Sequence, residues 1–172
     1  DSTTSVSTGI GKDGKEKQFG LYYDEWLVSH QPFHWLAEFY EIINDHGGFD
    51  VIVGNPPYVI YRPQKYVYKV SERYHTYSCG NLYAFVLDRC IQIISKDGRN
   101  GYIIPISSVS NDTFIPLQRL LLSETISWYS SFSNRPGKLF DNVEQRLTII
   151  LSQRRTNQLG YYASNYQHWY VE

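Results

Sequence analysis

Apolar residues occur along the chain in short runs with two different spacings, and these runs predict strands that alternate with helices. Two continuous apolar stretches, FDVIVG at 49–54 and GYIIPI at 101–106, are typical of strands buried in a parallel sheet. Between them, apolar residues three and four positions apart predict a helix within 81–98, with KDG as its stop signal. A second helix is predicted over 112–124, with Asp112 as its N-cap.

Two more strands are predicted further on, ISWYSSF at 126–132 and QRLTIILSQR at 145–154. The residues that join them show no helical pattern, and parallel neighbours usually need a crossover that contains a helix. One of the two strands is therefore expected to be antiparallel. The whole order predicts an α/β fold with a mainly parallel sheet and an antiparallel strand near the end.

Three segments lack the regular spacing. Residues 1–20 are rich in Ser, Thr, Gly and Lys, which predicts a flexible tail or linker, and residues 21–172 are then one domain. The sequence PFHWLAEFYEII at 32–43 is dense in apolar residues and fits either a short helix or a pair of strands. Residues 59–80 are polar and aromatic without a clear period, and we interpret them as a surface segment or lid.

Composition narrows the class of protein only a little. The 172 residues carry a net charge of −1, so no overall basic field argues for nucleic acid, although a basic surface elsewhere in a larger protein is not excluded. No apolar run reaches the length of a membrane span. The chain contains no Met, even at position 1, and we therefore expect a processed, trimmed or excised piece.

Several familiar patterns are better explained by structure than by chemistry. Cys79 and Cys90 match no usual zinc spacing and are expected to be free buried thiols. His34 and Glu38 could share a helix face, but Pro32 lies between His30 and His34 and favours a helix that starts after His30, so no metal site is expected. The GIGK sequence at 9–12 lacks the earlier glycine, the Ser or Thr and the preceding strand of a phosphate loop.

The sequence NPPY at 55–58 directly follows the first predicted strand, where ligands of α/β sheets bind. Pro56 and Pro57 fix the backbone and remove two N–H donors, so this corner presents acceptors. Asn55 adds a side-chain carbonyl, and Tyr58 adds a flat ring. Two acceptors beside a ring suit a planar aromatic amine such as a nucleobase, whose amine hydrogens Asn55 and the Pro56 carbonyl would accept. The alternative is a Pro-Pro turn with Tyr58 as a packing residue.

The same residues resemble a known family. FDVIVGNPPYV is similar to motif IV of the amino-methyltransferases, which methylate adenine N6 or cytosine N4 in DNA from S-adenosylmethionine. The helix that begins at NLY, the following GYIIPIS and the later KLFDNVEQRLTIIL also resemble this family. The sequences at 32–50 and 166–172 resemble flanks in the large type IIG restriction–modification enzymes, which implies a protein of the bacterial or archaeal cytoplasm.

This resemblance implies roles for particular residues. Asn55, Pro56, Pro57 and Tyr58 are expected to form the catalytic loop that holds a flipped adenine in double-stranded DNA. Tyr58 would stack on one face of the base and Phe140 on the other, although Phe140 also fits an ordinary core residue before a strand. Asn55 and Asn81 are expected near the cofactor, and Asn81 fits a helix N-cap equally well.

The resemblance also implies parts that are missing from the sequence. No glycine-rich strand–loop–helix for S-adenosylmethionine is found, so we expect the C-terminal half of a Rossmann-like methyltransferase fold. Its partners would be the N-terminal cofactor-binding half and a C-terminal target-recognition domain of the same protein, and the isolated chain is expected to be inactive. Methyltransferases of RNA or of protein glutamine remain open, as does a non-catalytic or split-enzyme interaction module.

Overall fold

The computed structural model describes residues 7–10, 16–19, 28, 34–65, 69–134, 139–140, 144–155 and 160–166. The chain divides into two units, at 1–40 and 41–172. In the first unit, strands β1 (Ser7–Ile10) and β2 (Glu16–Phe19) pair as an antiparallel hairpin, and helix α1 covers Trp35–Glu38. We expected no regular structure before residue 20. Backbone pairing in a hairpin does not depend on apolar side chains, so the polar composition did not reveal it.

The second unit is built on a five-stranded sheet in the order β3-β4-β6-β5-β7. Its strands are β3 (Phe49–Gly54), β4 (Ile94–Pro105), β5 (Thr125–Phe132), β6 (Leu147–Arg154) and β7 (Gly160–Ala163). Strand β6 is antiparallel to both of its neighbours, while β3 pairs with β4 and β5 pairs with β7 in parallel. Four of the five strands therefore run in one direction, and the predicted late antiparallel strand is confirmed. Because β6 lies inside the sheet, two of the four strand pairings are antiparallel, so the sheet is mixed rather than mainly parallel.

Three α-helices are described between these strands. Helix α2 (Leu82–Ile93) lies between β3 and β4, and helices α3 (Ser107–Ser110) and α4 (Ile115–Glu124) lie between β4 and β5. Helix α2 ends earlier than predicted, because Ile94 already pairs with Phe49 as the first residue of β4. The KDG sequence is instead an irregularity inside that strand, where Asp97 has φ of 73°. The described residues contain no helix long and apolar enough to cross a membrane.

Residues on one face of the sheet pack under helices α2 and α4 and form the core. The core combines Tyr102, Ile104 and Ile150 of the sheet with helix residues such as Leu87 and Leu117. We call the cross-strand neighbours Tyr102, Ile150 and Tyr129 the covered row: Tyr102 and Ile150 are buried, and Tyr129 packs against the core.

The next cross-strand row points to the opposite face, because successive residues of a strand alternate between faces. It joins β3, β6, β5 and β7 through Val53, Leu151, Trp128 and Tyr162, which we call the open row. These side chains are 74%, 53%, 41% and 54% exposed. In β4 the same row holds Gly101, where a Cβ would lie 2.8 Å from Val53 Cγ1, so Val53 packs directly over the glycine.

The open row corrects one expectation about strand β3. Val51, Ile52 and Val53 were predicted to lie in a strand buried on both faces, but only Ile52 packs against the core. Val51 and Val53 are exposed, because β3 is the last strand at this edge of the sheet and its second face carries the open row.

Candidate active site

The NPPY loop lies where the sequence predicted it, immediately after β3 at the carboxyl edge of the parallel strands. Strand β3 pairs with β4 up to Gly54, which lies opposite Tyr102. Prolines have no N–H, so Pro56 and Pro57 cannot donate to a further ladder bond. Pro56 is buried, whereas Asn55 and Pro57 are exposed. Pro56 therefore anchors the loop in the interior of the protein, and Asn55 lies at the surface.

One hydroxyl joins this loop to the end of strand β4. The Tyr58 hydroxyl donates to Asn55 Oδ1 at 2.6 Å and to the Ile103 carbonyl at 2.8 Å. Ile103 lies one residue past the last residue of β4 that pairs with β3. The ring of Tyr58 is thus fixed by a main-chain carbonyl of the sheet, and Asn55 is fixed by the ring.

The single proton of the Tyr58 hydroxyl bears on which way the Asn55 amide is turned. A hydroxyl has a single proton, so it can donate fully to only one of two carbonyl oxygens at a time. The oxygen and nitrogen of an amide are nearly the same size, so the amide can turn over within the same space. If the amide is turned by half a rotation, Nδ2 donates to the Tyr58 oxygen, Tyr58 donates to Ile103, and Asn55 Oδ1 points away from the ring as a free acceptor.

Aromatic packing holds the rest of Tyr58 in place. Its ring meets the Tyr83 ring edge-on at 6.3 Å, and Tyr83 stacks on Phe114 at 5.2 Å. Burial raises the pKa of the Tyr58 hydroxyl and raises the pKa of Tyr83 to about 12. Both hydroxyls therefore stay protonated at neutral pH, and Tyr58 remains a hydrogen-bond donor.

Asn81 is brought next to the same loop. It forms an isolated antiparallel bridge with Ile60, and the amide of Leu82 donates to the Val59 carbonyl at 2.9 Å. Asn81 precedes α2, but its side chain makes no capping hydrogen bond. Its Oδ1 is buried without a hydrogen-bond partner, and such an acceptor is costly unless something donates to it. The predicted N-cap role is therefore not made by the side chain.

Phe140 lies in the connection between strands β5 and β6. Its side chain is 38% exposed, which argues against the alternative of an ordinary core residue. In the part of the chain that the structure describes, no ring contact joins Phe140 to Tyr58. Asn55, Tyr58 and Asn81 therefore form one neighbourhood, and the position of Phe140 relative to it stays a prediction.

The sequence analysis missed the residue that fixes the segment after the loop. Asp88 of α2 is 1% exposed, and its Oδ2 accepts from the Thr76 amide at 3.0 Å and from the Thr76 hydroxyl at 3.1 Å. Gln92 Nε2 donates to Asp88 Oδ1 at 2.8 Å. A signal was present in the sequence: an acidic residue lies among the apolar positions of the predicted helix, and a buried carboxylate needs partners.

The other candidate groups behave as ordinary structural residues. Cys79 and Cys90 are buried free thiols, as predicted, and burial raises the pKa of both. His30 lies outside the described residues, and among those described no three His, Cys, Asp or Glu side chains gather as metal ligands would.

Known proteins resemble this chain in sequence. A family model described as Eco57I restriction-modification methylase matches residues 11–140. Modification methylase CviBIII of Paramecium bursaria Chlorella virus NC1A is 38% identical over 79 residues, which are 45% of this chain and 20% of that protein. The putative type II restriction enzyme and methyltransferase RM.MjaORFECS2P of Methanocaldococcus jannaschii is 31% identical over 96 residues, covering 55% of this chain and 8% of that protein.

Solved structures share the fold. The ATP-dependent Type ISP restriction-modification enzyme LlaBIII, in a structure bound to DNA, matches with a TM-score of 0.53 at 18% identity. The match covers 67% of this chain and 10% of that one. The chain thus spans a fifth or less of the length of each of these three proteins.

Proposed function

Because the chain belongs to the Eco57I restriction-modification methylase family, we propose that it is the catalytic half of a DNA methyltransferase that modifies the N6 amine of a flipped adenine. The observation that carries the proposal is the hydrogen-bonded group of Asn55, Tyr58 and the Ile103 carbonyl at the carboxyl edge of the sheet. The chain would act within a larger restriction–modification protein of the bacterial or archaeal cytoplasm.

The loop would act by gripping the amine with acceptors. With its amide turned so that Nδ2 donates to Tyr58, Asn55 Oδ1 accepts one N–H of the adenine amine, and the Pro56 carbonyl accepts the other. Both bonds draw the nitrogen toward tetrahedral geometry and localise its lone pair for attack on a methyl carbon. This is positioning and electrostatic stabilisation, without a general base of shifted pKa.

The rings would hold the base in place. Stacking a flipped base on an aromatic ring contributes about 1–3 kcal/mol. Tyr58 suits this role because its hydroxyl bonds to β4 and its ring packs against Tyr83, so little freedom is lost when a base arrives. Phe140, exposed in the β5–β6 connection, is proposed for the second face of the base.

S-adenosylmethionine supplies the methyl group when it is bound, and this chain would hold only part of it. The buried, unpartnered Asn81 Oδ1 fits a hydrogen-bond donor of the cofactor, and Asn55 lies in the neighbouring loop. A glycine-rich turn after a strand, which would hold the remainder, does not occur in the sequence. We therefore propose that the cofactor is held mainly by the N-terminal half of the same protein, and that target recognition belongs to its C-terminal domain.

The sheet leaves a surface for such a second half. The open row leaves Val53, Leu151 and Trp128 exposed, and neighbouring exposed apolar side chains are typical of a surface that another protein part covers. Among the residues that the structure describes, strand β3 pairs on one side only, with β4. An adjoining half-domain that pairs with β3 and covers the open row would complete the C-terminal half of a Rossmann-like methyltransferase fold.

The test is methyl transfer to DNA by the complete protein that carries this chain, with labelled S-adenosylmethionine and analysis of the modified nucleosides. We expect N6-methyladenine, and a loss of at least about 100-fold in kcat for Asn55→Ala, as is typical when a positioned hydrogen-bonding group is removed. The exposed Asn111, which lies outside the loop, gives the matched control Asn111→Ala, for which wild-type rates are expected.

Several outcomes would contradict the proposal. N4-methylcytosine as the product would exclude adenine, and transfer to RNA or to a protein glutamine but not to DNA would favour the alternative substrates. Methylation of DNA by the isolated 172-residue chain would refute the need for a second half. If the natural reading frame encodes no glycine-rich cofactor motif, a split enzyme or a non-catalytic interaction module becomes the better explanation, and the open row is the surface that favours it.

A further inference from the structure

A groove beside the NPPY loop has no role in the chemistry described above. It has a volume of about 530 Å³, and Pro57 forms part of its wall. Its remaining walls come from the segment after residue 68 and from helix α2: Lys69, Val70, Ser71, Tyr74, Leu82, Phe85, Val86 and Arg89. A second hollow of about 290 Å³ shares Ser71 and Tyr74 with it and adds Arg73 and Gln92. We call the surface formed by these two neighbouring hollows the trough.

The charges along this trough are positive. Lys69, Arg73 and Arg89 line it, and all three side chains are exposed. Glu72 is not among the described residues that line either hollow, and Asp88 is buried in its bonds to Thr76 and Gln92. A chain whose net charge is −1 therefore carries a local cationic surface next to its candidate catalytic loop.

The trough is held in a fixed shape. Asp88 ties Thr76 to α2, and the Tyr61 hydroxyl accepts from the Val70 amide at 2.9 Å. Phe85 packs against the segment: its ring stacks with Tyr74 at 6.3 Å and with Tyr77 at 6.2 Å between ring centroids. Arg89 donates to Gln92 Oε1 at 3.1 Å, which holds its guanidinium along the trough. A preformed cationic surface loses little entropy when it binds an extended anion.

We infer that this trough binds the phosphodiester backbone of the DNA strand that carries the target base, with Lys69 and Arg89 contacting the phosphates next to it. The inference rests on the proposed function. A nucleotide flips by rotation about its own backbone, so its neighbouring phosphates stay close to the loop that receives the base. The trough begins at Pro57, two residues from Asn55, and offers cations above an apolar floor. Such contacts position a strand without reading its sequence.

The test is the salt dependence of DNA binding by the complete protein that carries this chain. Lys69→Gln and Arg89→Gln should each lower affinity for specific and non-specific duplexes alike, and should each reduce the slope of log K against log salt by about 1. Arg89→Lys keeps the charge and should restore most of the slope. Arg119→Gln, an exposed cation on helix α4 away from the trough, is the matched control and should change neither quantity.

Two further results decide between failures. If wild-type protein methylates DNA but Lys69→Gln and Arg89→Gln bind it with unchanged slope, the trough is not a backbone site while the proposed function stands. If the wild type neither binds nor methylates DNA, the proposed function fails and this inference fails with it. A reduced slope on single-stranded RNA but not on DNA would overturn the assignment to DNA.

Discussion

Two neighbouring rows of one sheet have opposite environments. In the covered row, Tyr102 and Ile150 are 3% and 0% exposed beneath helices α2 and α4. One residue further along β6, Leu151 belongs to the open row and is 53% exposed between Val53 and Trp128. Both rows are apolar. The difference shows that an apolar side chain is buried only where other residues cover it. The described residues of this chain cover one face of the sheet.

The candidate site is attached to the covered side of the sheet. Tyr58 hydrogen-bonds β4 and packs against the covered-side core, so the NPPY loop is attached to the buried side of the sheet. The contacts that hold this loop therefore come from the covered side. We expect the loop to keep its shape in the isolated chain and to lack activity there.

The largest expected effect distinguishes the two rows directly. Ile150→Ala removes a fully buried side chain and should cost about 2–5 kcal/mol in the free energy of unfolding. Leu151→Ala, its neighbour on the other face, should change that free energy by less than about 0.5 kcal/mol in the isolated chain. Urea denaturation of both variants measures the difference. Equal costs would show that the open row is packed in solution.

A smaller effect is expected at alkaline pH, and it should come from the covered side. Burial raises the pKa of Tyr83 from 10.0 to about 12 and also raises that of Tyr102. Since the folded state holds these protons more tightly than the unfolded state, the stabilisation is complete below pH 10 and is lost as the pH rises through the folded pKa values.

Tyr83 alone should account for part of this loss. Denaturation curves at increasing pH, with tyrosinate absorbance as a second signal, measure it. Tyr83→Phe removes the ionisable group and should flatten part of the decline. A decline of unchanged steepness in that variant would assign the alkaline loss to other groups.

The smallest effect on stability is expected from changing the open row to charged residues. Val53→Lys with Leu151→Glu should alter the unfolding free energy of the isolated chain by about 0.5 kcal/mol or less, since both side chains are already at the surface. The pair should nevertheless reduce self-association and the binding of an apolar fluorescent dye.

In the complete protein the same pair should be strongly destabilising if a second half covers the open row. The melting temperature of the complete protein, compared with that of the isolated chain, provides the contrast. Unchanged melting in both proteins would mean that the open row stays exposed, and the proposed packing of the cofactor-binding half would then be wrong.

Short-range sequence signals were sufficient for much of the fold. The apolar run that ends at Gly54 predicted β3, and the missing helical pattern between β5 and β6 predicted that one of these two strands is antiparallel, which the structure shows to be β6. Strand β7 was not predicted, because its four residues gain their place only by pairing with β5. The end of α2 was misplaced for a related reason: Ile94 continues the apolar pattern of the helix, but its pairing with Phe49 draws it into the sheet.

At the candidate site, the order of residues indicated chemistry and the fold supplied geometry. Asn-Pro-Pro-Tyr after a strand already implied acceptors beside a ring, since proline chemistry is local. It could not show that the Tyr58 hydroxyl bonds both Asn55 and Ile103, because Ile103 is 45 residues away in the chain. Nor could it show the cationic trough, whose walls come from a segment without periodicity and from a helix.

The sequence by itself determined the family motif, the α/β order and the residues able to hold an aromatic amine, because each depends on neighbours within a few positions. Only the tertiary structure decided which apolar residues are buried, which carbonyl orients Tyr58, and that Asp88 fixes the trough. These depend on contacts between distant segments. Ile52 and Val53 are nearly identical in chemistry and adjacent in sequence, yet Ile52 packs against the core and Val53 lies at the surface.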